Sequence, residues 1–350
     1  MEQSMRITKN KAIYISGIIL IGILAAVSLT KRQYATVKSG THILMDTTVR
    51  VTAVAVSEKD GQTAIKQAIT AITNTEKLMS YYDAQSQLSA LNKDGYKNPV
   101  KVSDELFYVI SKSVEFNKLT DGAFDCTIAP VLDLWRAAAK TGIKPTAEQL
   151  AAAKAKTGCG KLVIDAQSKT IKFSVDGMKI DLGGIAKGYA VDKAIEAMMA
   201  AGAVGGLVDA GGDIRCFGIP PAGQNNWIIG LQNPETADPD GQDIVMKFAI
   251  DDMAITTSGD YYRFVVIDGE KISHIIDPKK STSAKELCSV SVIAPDATTA
   301  DALSTGVTVL GKDKGKELIE ALPGIEALLI TSPPQEQIIK TAGMSKYLSD

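Results

Sequence analysis

Apolar positions divide this chain into one unbroken run near the start and, after it, a long succession of helical and extended patterns. Residues 12–29, AIYISGIILIGILAAVSL, carry no charge and are flanked by Arg6, Lys9 and Lys11 before and Lys31 and Arg32 after. A run of that length is about enough to cross a bilayer as one helix. It also fits a signal peptide, with Ala26-Val27-Ser28 as a weak cleavage site. Positive charges nearly balance across it, so they give little orientation. Residues 1–35 are therefore expected to be an anchor or signal, and residues 36–350 a domain outside the cytoplasm.

Beyond that run, Val49–Val56 alternate as a strand, and Ile65, Ile69, Ile72 and Leu78 mark a helix over Gln62–Met79. Ser103 is an N-cap for a helix over Asp104–Leu119. The Pro130 break predicts a structural corner, and Thr146–Lys156 a surface helix. Lys161–Ile164 and Thr170–Val175 read as a hairpin. Trp227–Gln232, Met246–Ile250 and Met253–Thr256 read as strands. A second hairpin pairs Tyr262–Ile267 with Lys271–Ile276 about Asp268-Gly269. Strand Cys288–Ala294 leads through Pro295-Asp296 into a helix ended by Gly311. Hairpins intermixed with helices predict an α+β fold, a mixed or mainly antiparallel sheet with packed helices.

The stretch Lys179–Gly218 holds nine of the 29 glycines. It reads as a strand ending at Asp181, a Gly183-Gly184 loop and a helix from about Gly188 to Ala201. Val191, Ala194, Ile195 and Met198 form its buried face, and Gly202 its stop. A strand over Gly206–Asp209 then enters a second loop, Gly211-Gly212-Asp213. Two glycine loops beside aspartates, one opening a helix, suit a phosphorylated ligand. GGIAKGY has the Gly-x4-Gly spacing of a P-loop, but Tyr189 stands where the lysine belongs, which excludes a nucleoside triphosphatase. No G-x-G-x-x-G follows a strand, so the dinucleotide fingerprint fails too.

Charge narrows the function classes. With 38 basic and 40 acidic residues, a net charge of −2 and 5% aromatics, nothing favours nucleic-acid binding. Cys126, Cys159, Cys216 and Cys288 lack CxxC spacing and read as buried thiols rather than a zinc site or redox pair. His274, one of two histidines, sits on a predicted strand, where a structural role is the commoner one. On the Cys288–Gly311 segment, Leu303, Gly306, Val307 and Leu310 share one helix face, and Asp301, Thr305 and Thr308 the opposite one. By spacing alone that second face is an ordinary solvated one; an aspartate and a hydroxyl one turn apart are also hard-oxygen ligands for a cation such as Mg²⁺.

Taken in order, LMDTTV, MSYYDAQSQLSALN, GAFDCTIAPVLDLW, IDLGGIAKGYAVDKA, GLVDAGGDIRCFG, TTSGDYYRF, HIIDP and TTADALSTG make the chain resemble the FAD:protein FMN transferase family, also called the ApbE family, over nearly all of residues 41–345. The resemblance implies an extracytoplasmic, Mg²⁺-dependent enzyme moving FMN from FAD to a threonine or serine hydroxyl of a partner flavoprotein, releasing AMP. It implies that FAD lies against Met45, Tyr82, Ala123, Phe124, Asp125, Asp181, Lys187 and the backbone near Ile275. It implies a metal held by the Gly184 carbonyl, Asp301 and Thr305, with Ser304 nearby, and it puts His274 near the reacting phosphates. The acceptor it implies is a flavin-carrying subunit of a membrane or extracellular redox system. Two features depart from the pattern: no cysteine follows the apolar run to take a lipid, and Lys279–Ser283 replaces a Lys-Thr-Gly-like turn after HIIDP. Hydrolysis of FAD to FMN and AMP, and a flavin carrier without turnover, are the competing readings.

Overall fold

The structure, a computed structural model, describes residues 34–234, 236, 243–259, 264–334 and 337–349. The apolar run 12–29 lies outside the described residues. Among the described residues no helix is long and apolar enough to cross a membrane.

Nine strands make the central sheet: β1 (Ala35–Lys38), β2 (His42–Leu44), β3 (Thr47–Ala55), β4 (Gly205–Ala210), β5 (Asp213–Gly218), β6 (Ala254–Gly259), β7 (Leu287–Ala294), β8 (Glu326–Thr331) and β9 (Ile338–Lys340). Their order is β1-β3-β4-β5-β6-β7-β8-β9, with β2 on β3, and every pairing is antiparallel. Alternation sorts the side chains onto two covered faces. Val49, Val51, Ala53, Val290, Val292 and Leu329 face the helices, while Val54, Ile255, Ile293, Leu328 and Ile330 face a second layer with Trp227, Ile229 and Phe248. That layer is a smaller antiparallel sheet of Trp227–Gln232, Ile244–Ile250 and Leu348–Ser349. Strand β7, covered on both sides, is buried at all eight positions, which explains its unbroken apolar and small-polar sequence.

Eight helices are described: α1 (Glu58–Met79), α2 (Gln87–Asp94), α3 (Asp104–Leu119), α4 (Ala129–Thr141), α5 (Ala147–Lys154), α6 (Ala186–Ala200), α7 (Ala297–Leu310) and α8 (Lys312–Glu320). Ser57 and Ser103 cap α1 and α3, and Asp296 caps α7 by accepting from the Thr299 N–H at 2.8 Å. Gly202, at φ +86°, ends α6 as the sequence predicts. At Gly188 a Cβ would stand 2.1 Å from the Ala297 carbonyl oxygen, so only glycine lets α6 and α7 cross this closely.

Three expectations are corrected. Pro130 opens helix α4 rather than breaking one, because a proline in the first helical turn forfeits no intrahelical hydrogen bond. Lys179–Asp181 belongs to no sheet. The Asn92 side chain takes the place of a neighbouring strand, donating to the Ile180 carbonyl at 2.9 Å and accepting from its N–H at 2.7 Å. The return strand of the second hairpin ends at Ser273, so His274 leaves it as an exposed residue.

Candidate functional site

A cleft of about 1120 Å³ opens where the helix layer meets the end of the central sheet and the 264–278 segment. Met45, Tyr82, Ala123, Phe124, Asp125, Asp181, Gly184, Lys187, His274, Ile275, Asp301 and Thr305 all line it. Ser304 alone of the expected residues does not.

Met45 and Asp46 form the two-residue turn between β2 and β3, both at positive φ (52° and 58°) without a glycine. Turns of this hand match the strand twist, but non-glycine residues adopt them at a cost. The Glu76 carboxylate holds the turn by accepting the Met45 N–H at 2.8 Å. The next wall follows α1. The Tyr82 ring, 74% exposed, meets Tyr81 edge-on, and the Arg136 guanidinium lies over both rings at 5.3 and 4.8 Å. Arg136 also pairs with Asp181 Oδ2 at 2.6 Å, while Asp181 Oδ1 accepts the Gly183 N–H at 2.7 Å. One cation thereby ties the aromatic wall to the glycine loop. Burial and the Asp133 carboxylate push the Tyr81 hydroxyl well above its usual range, so it stays a neutral donor to Asp133.

Phe124 and Asp125 belong to the loop between α3 and α4. Thr120 Oγ1 accepts the Phe124 N–H at 2.9 Å, Asn117 Nδ2 donates to its carbonyl at 2.8 Å, and Asp125 Oδ1 accepts the Thr127 N–H at 2.8 Å. Opposite stands the Gly183-Gly184 loop. A Cβ on Gly184 would sit 3.1 Å from Thr305 Oγ1 and 3.2 Å from the Phe124 ring, so this backbone runs directly against α7.

Asp301, on α7, is buried, and its Oδ2 accepts the Gly188 N–H at 2.9 Å. Burial and the nearby Asp213 carboxylate push its pKa up to about 7, against the opposing pull of Lys187. Lys187 pairs with Asp213 across the same corner. A hydroxyl cluster lies beside it: Ser258 Oγ is 2.8 Å from Ser304 Oγ and 3.4 Å from Thr305 Oγ1, and Ser304 Oγ donates to the Asp301 carbonyl at 2.9 Å. The face of α7 that carries Asp301 and Thr308 is therefore packed inside the protein, contrary to the solvated-face reading from spacing. Partly uncompensated carboxylate charge beside hydroxyl oxygens is a donor set that suits a hard divalent cation.

His274 and Ile275 supply the opposite rim. Ile275 is fixed by its N–H to Ser273 Oγ at 3.1 Å and by its carbonyl, which accepts the Ala284 N–H at 3.0 Å. Sequence spacing does not single out Ser258 or Arg136. Ser258 sits inside TTSGDYYRF, where its motif neighbours signalled it, whereas Arg136 carries no local signature. Among the cysteines, Cys216 and Cys288 each donate to backbone carbonyls, but Cys126 and Cys159 face each other at 4.0 Å.

The ApbE family model matches residues 45–329. A FAD:protein FMN transferase of Haemophilus influenzae is 32% identical over 278 residues, covering 78% of this chain and 79% of that protein. One from Vibrio cholerae is 34% identical, covering 69% and 72%. Among solved structures, the ApbE protein of Thermotoga maritima superposes with a TM-score of 0.78 at 32% identity, covering 91% of this chain and all of that one. The flavin transferase ApbE from Vibrio cholerae gives 0.78 at 28% identity, covering 90% and all of it. With a family model spanning most of its length and relatives more than 30% identical over two thirds or more of it, the chain belongs to the ApbE family.

Proposed function

We propose that the chain is a FAD:protein FMN transferase, using Mg²⁺ to move FMN from FAD to a threonine or serine hydroxyl of an acceptor flavoprotein. The observation that carries this reading is the meeting of the Gly184 loop, Thr305 and the buried Asp301 carboxylate on one wall of a cleft large enough for a dinucleotide. Asp301, Thr305 and the Gly184 carbonyl would hold the cation, with Ser304 fixing Thr305's neighbourhood from behind. Bound Mg²⁺ supplies neutralisation of the charge that develops on the diphosphate during transfer.

The protein's own residues do the rest. Tyr82, Met45 and the Ala123–Asp125 wall confine the dinucleotide, and Lys187 and Asp181 sit beside the glycine loop that its diphosphate would meet. The acceptor oxygen forms a bond to the FMN phosphorus as the bond to the AMP oxygen breaks. The His274 imidazole, exposed on the rim, takes the hydroxyl proton. Holding the two reactants in line is then the main source of rate. Residues 1–35 serve as a membrane anchor or signal, with the domain outside the cytoplasm and the acceptor in a membrane or extracellular redox system.

The test is mass spectrometry of candidate acceptor flavoproteins after incubation with this protein, FAD and Mg²⁺. An FMN-phosphoryl addition on threonine or serine is expected. Rapid AMP release with no acceptor present would replace transfer by hydrolysis, and FAD left intact with every acceptor would leave only a flavin carrier.

A further inference from the structure

Two of the four thiols occupy a place that the flavin chemistry does not use. Cys126 Sγ and Cys159 Sγ lie 4.0 Å apart, both buried, although 33 residues separate them in sequence. Their backbones are held at this approach by hydrogen bonds between the two segments. Thr127 Oγ1 accepts the Gly158 N–H at 2.6 Å, and Cys159 Sγ donates to Asp125 Oδ1 at 3.3 Å. The Cys126 carbonyl is pinned in turn by the Asp181 N–H at 2.7 Å. Closing the remaining gap to a sulfur–sulfur bond of roughly 2.05 Å requires the two thiols to move toward each other. Cys126, although only 2% exposed, also lines the cleft, which is the side from which a small reagent would approach it.

We infer that Cys126 and Cys159 are a modification site: a dithiol pair that a low-molecular-weight disulfide oxidises to an intramolecular disulfide, stapling the Phe124–Thr127 wall of the cleft to the Cys159–Lys161 turn. The inference takes its oxidant from the extracytoplasmic placement proposed above, where disulfides persist. The exchange balances in two steps. The Cys126 sulfur attacks the reagent disulfide and expels one small thiolate; the Cys159 sulfur then attacks Cys126 in the mixed disulfide and expels the second. Two protein thiols lose two electrons, the reagent gains them, and the two thiol protons pass to the two released thiolates. Cys126 lines the cleft and Cys159 lies behind it, which makes Cys126 the point of entry and Cys159 the resolving group.

The pair would also link thiol state to the flavin wall, because oxidation removes the S–H that Asp125 accepts. Cys216 and Cys288 each donate their S–H to backbone carbonyls in the core between the two sheets.

The experiment treats the full chain with oxidised glutathione or with dithiothreitol, unfolds it, alkylates free thiols and maps the peptides by mass. Expected is one cross-linked peptide joining Cys126 and Cys159 in the oxidised sample alone, with Cys216 and Cys288 alkylated in both. A Tm higher by roughly 5 °C in the oxidised form should accompany it, since the bond closes a loop of some thirty residues in the unfolded chain. Cys159→Ala should lose both the cross-link and the oxidant-dependent rise in Tm. Full alkylation of Cys126 and Cys159 after oxidation, glutathione adducts without the cross-link, or thiols released only by a chelator together with a metal ion would each overturn the inference. No flavin enters the measurement, so its failure is separate from failure of the transfer reading.

Discussion

The Asp192 carboxylate, in the middle of α6, caps the start of α7: it accepts the Thr298 hydroxyl at 2.5 Å and the backbone N–H groups of Ala297 and Thr298 at 2.9 Å each. Arg215 on β5 completes the set with a 2.7 Å ion pair. The helix bearing the glycine loop thus fixes the rotation of the helix bearing Asp301. Asp192→Ala leaves a partly buried guanidinium and two buried N–H groups without their acceptor. It should cost about 3 kcal/mol in chemical denaturation, with Asp192→Asn losing less. Unchanged stability in the alanine variant would contradict the capping role.

Asp301 gives the metal-free protein a pH signature. Its carboxyl ionises near 7 when folded, against an ordinary 3.8. Between those values the folded chain holds the extra proton, so this group's contribution is full at about pH 4 and lost as pH rises through 7. Metal-free Asp301→Asn should therefore melt like wild type near pH 3.5 and increasingly above it as pH rises to 8. Added Mg²⁺ should raise the wild-type Tm at pH 8 and leave the variant's alone. Parallel melting curves across this range would rule the account out.

Gly184 and Gly212 separate crowding from backbone freedom. A Cβ at Gly184 crowds Thr305 Oγ1 and the Phe124 ring at 3.1 and 3.2 Å, whereas at Gly212 it meets nothing within 4 Å but sits at φ +92°. Gly184→Ala should cut FMN transfer at least tenfold with a small change in Tm. Gly212→Ala should cost about 1 kcal/mol of stability, through the positive φ alone. Steady-state transfer rates and thermal melts of both variants decide it.

Lys187 pairs with Asp213, which is 2% exposed, and it pulls against the rise in the Asp301 pKa. Lys187→Met should weaken FAD binding tenfold or more and move the acid limb of the pH–rate profile upward, because the two carboxylates then oppose each other's ionisation more strongly. Flavin fluorescence titration and a pH profile with saturating Mg²⁺ read the two effects separately.

Local pattern made much of the fold legible. The strand at β3, the helix at α3 with its Ser103 cap and the Gly202 stop follow from periodicity and capping chemistry that act within a few residues. What escaped depends on partners far along the chain. Asn92 stands in for a strand at Ile180 across 88 residues, Arg136 finds Asp181 across 45, and the Cys126–Cys159 approach spans 33. No spacing within a motif records those distances. The polar face of α7 shows the same gap: Asp301 and Thr308 have the periodicity of a wet helix surface, and only the packing of α6, β6 and β7 makes that surface interior. The motifs pointed to these residues; the chain's own folding supplies the burial that gives them unusual chemistry.

The walls of the cleft are drawn from Met45 near one end of the domain and Thr305 near the other. A polypeptide still emerging from the ribosome, halted anywhere before α7, would own the glycine loop and the aromatic wall yet lack the carboxylate that faces them. The complete cleft therefore exists only once the chain has been made through α7.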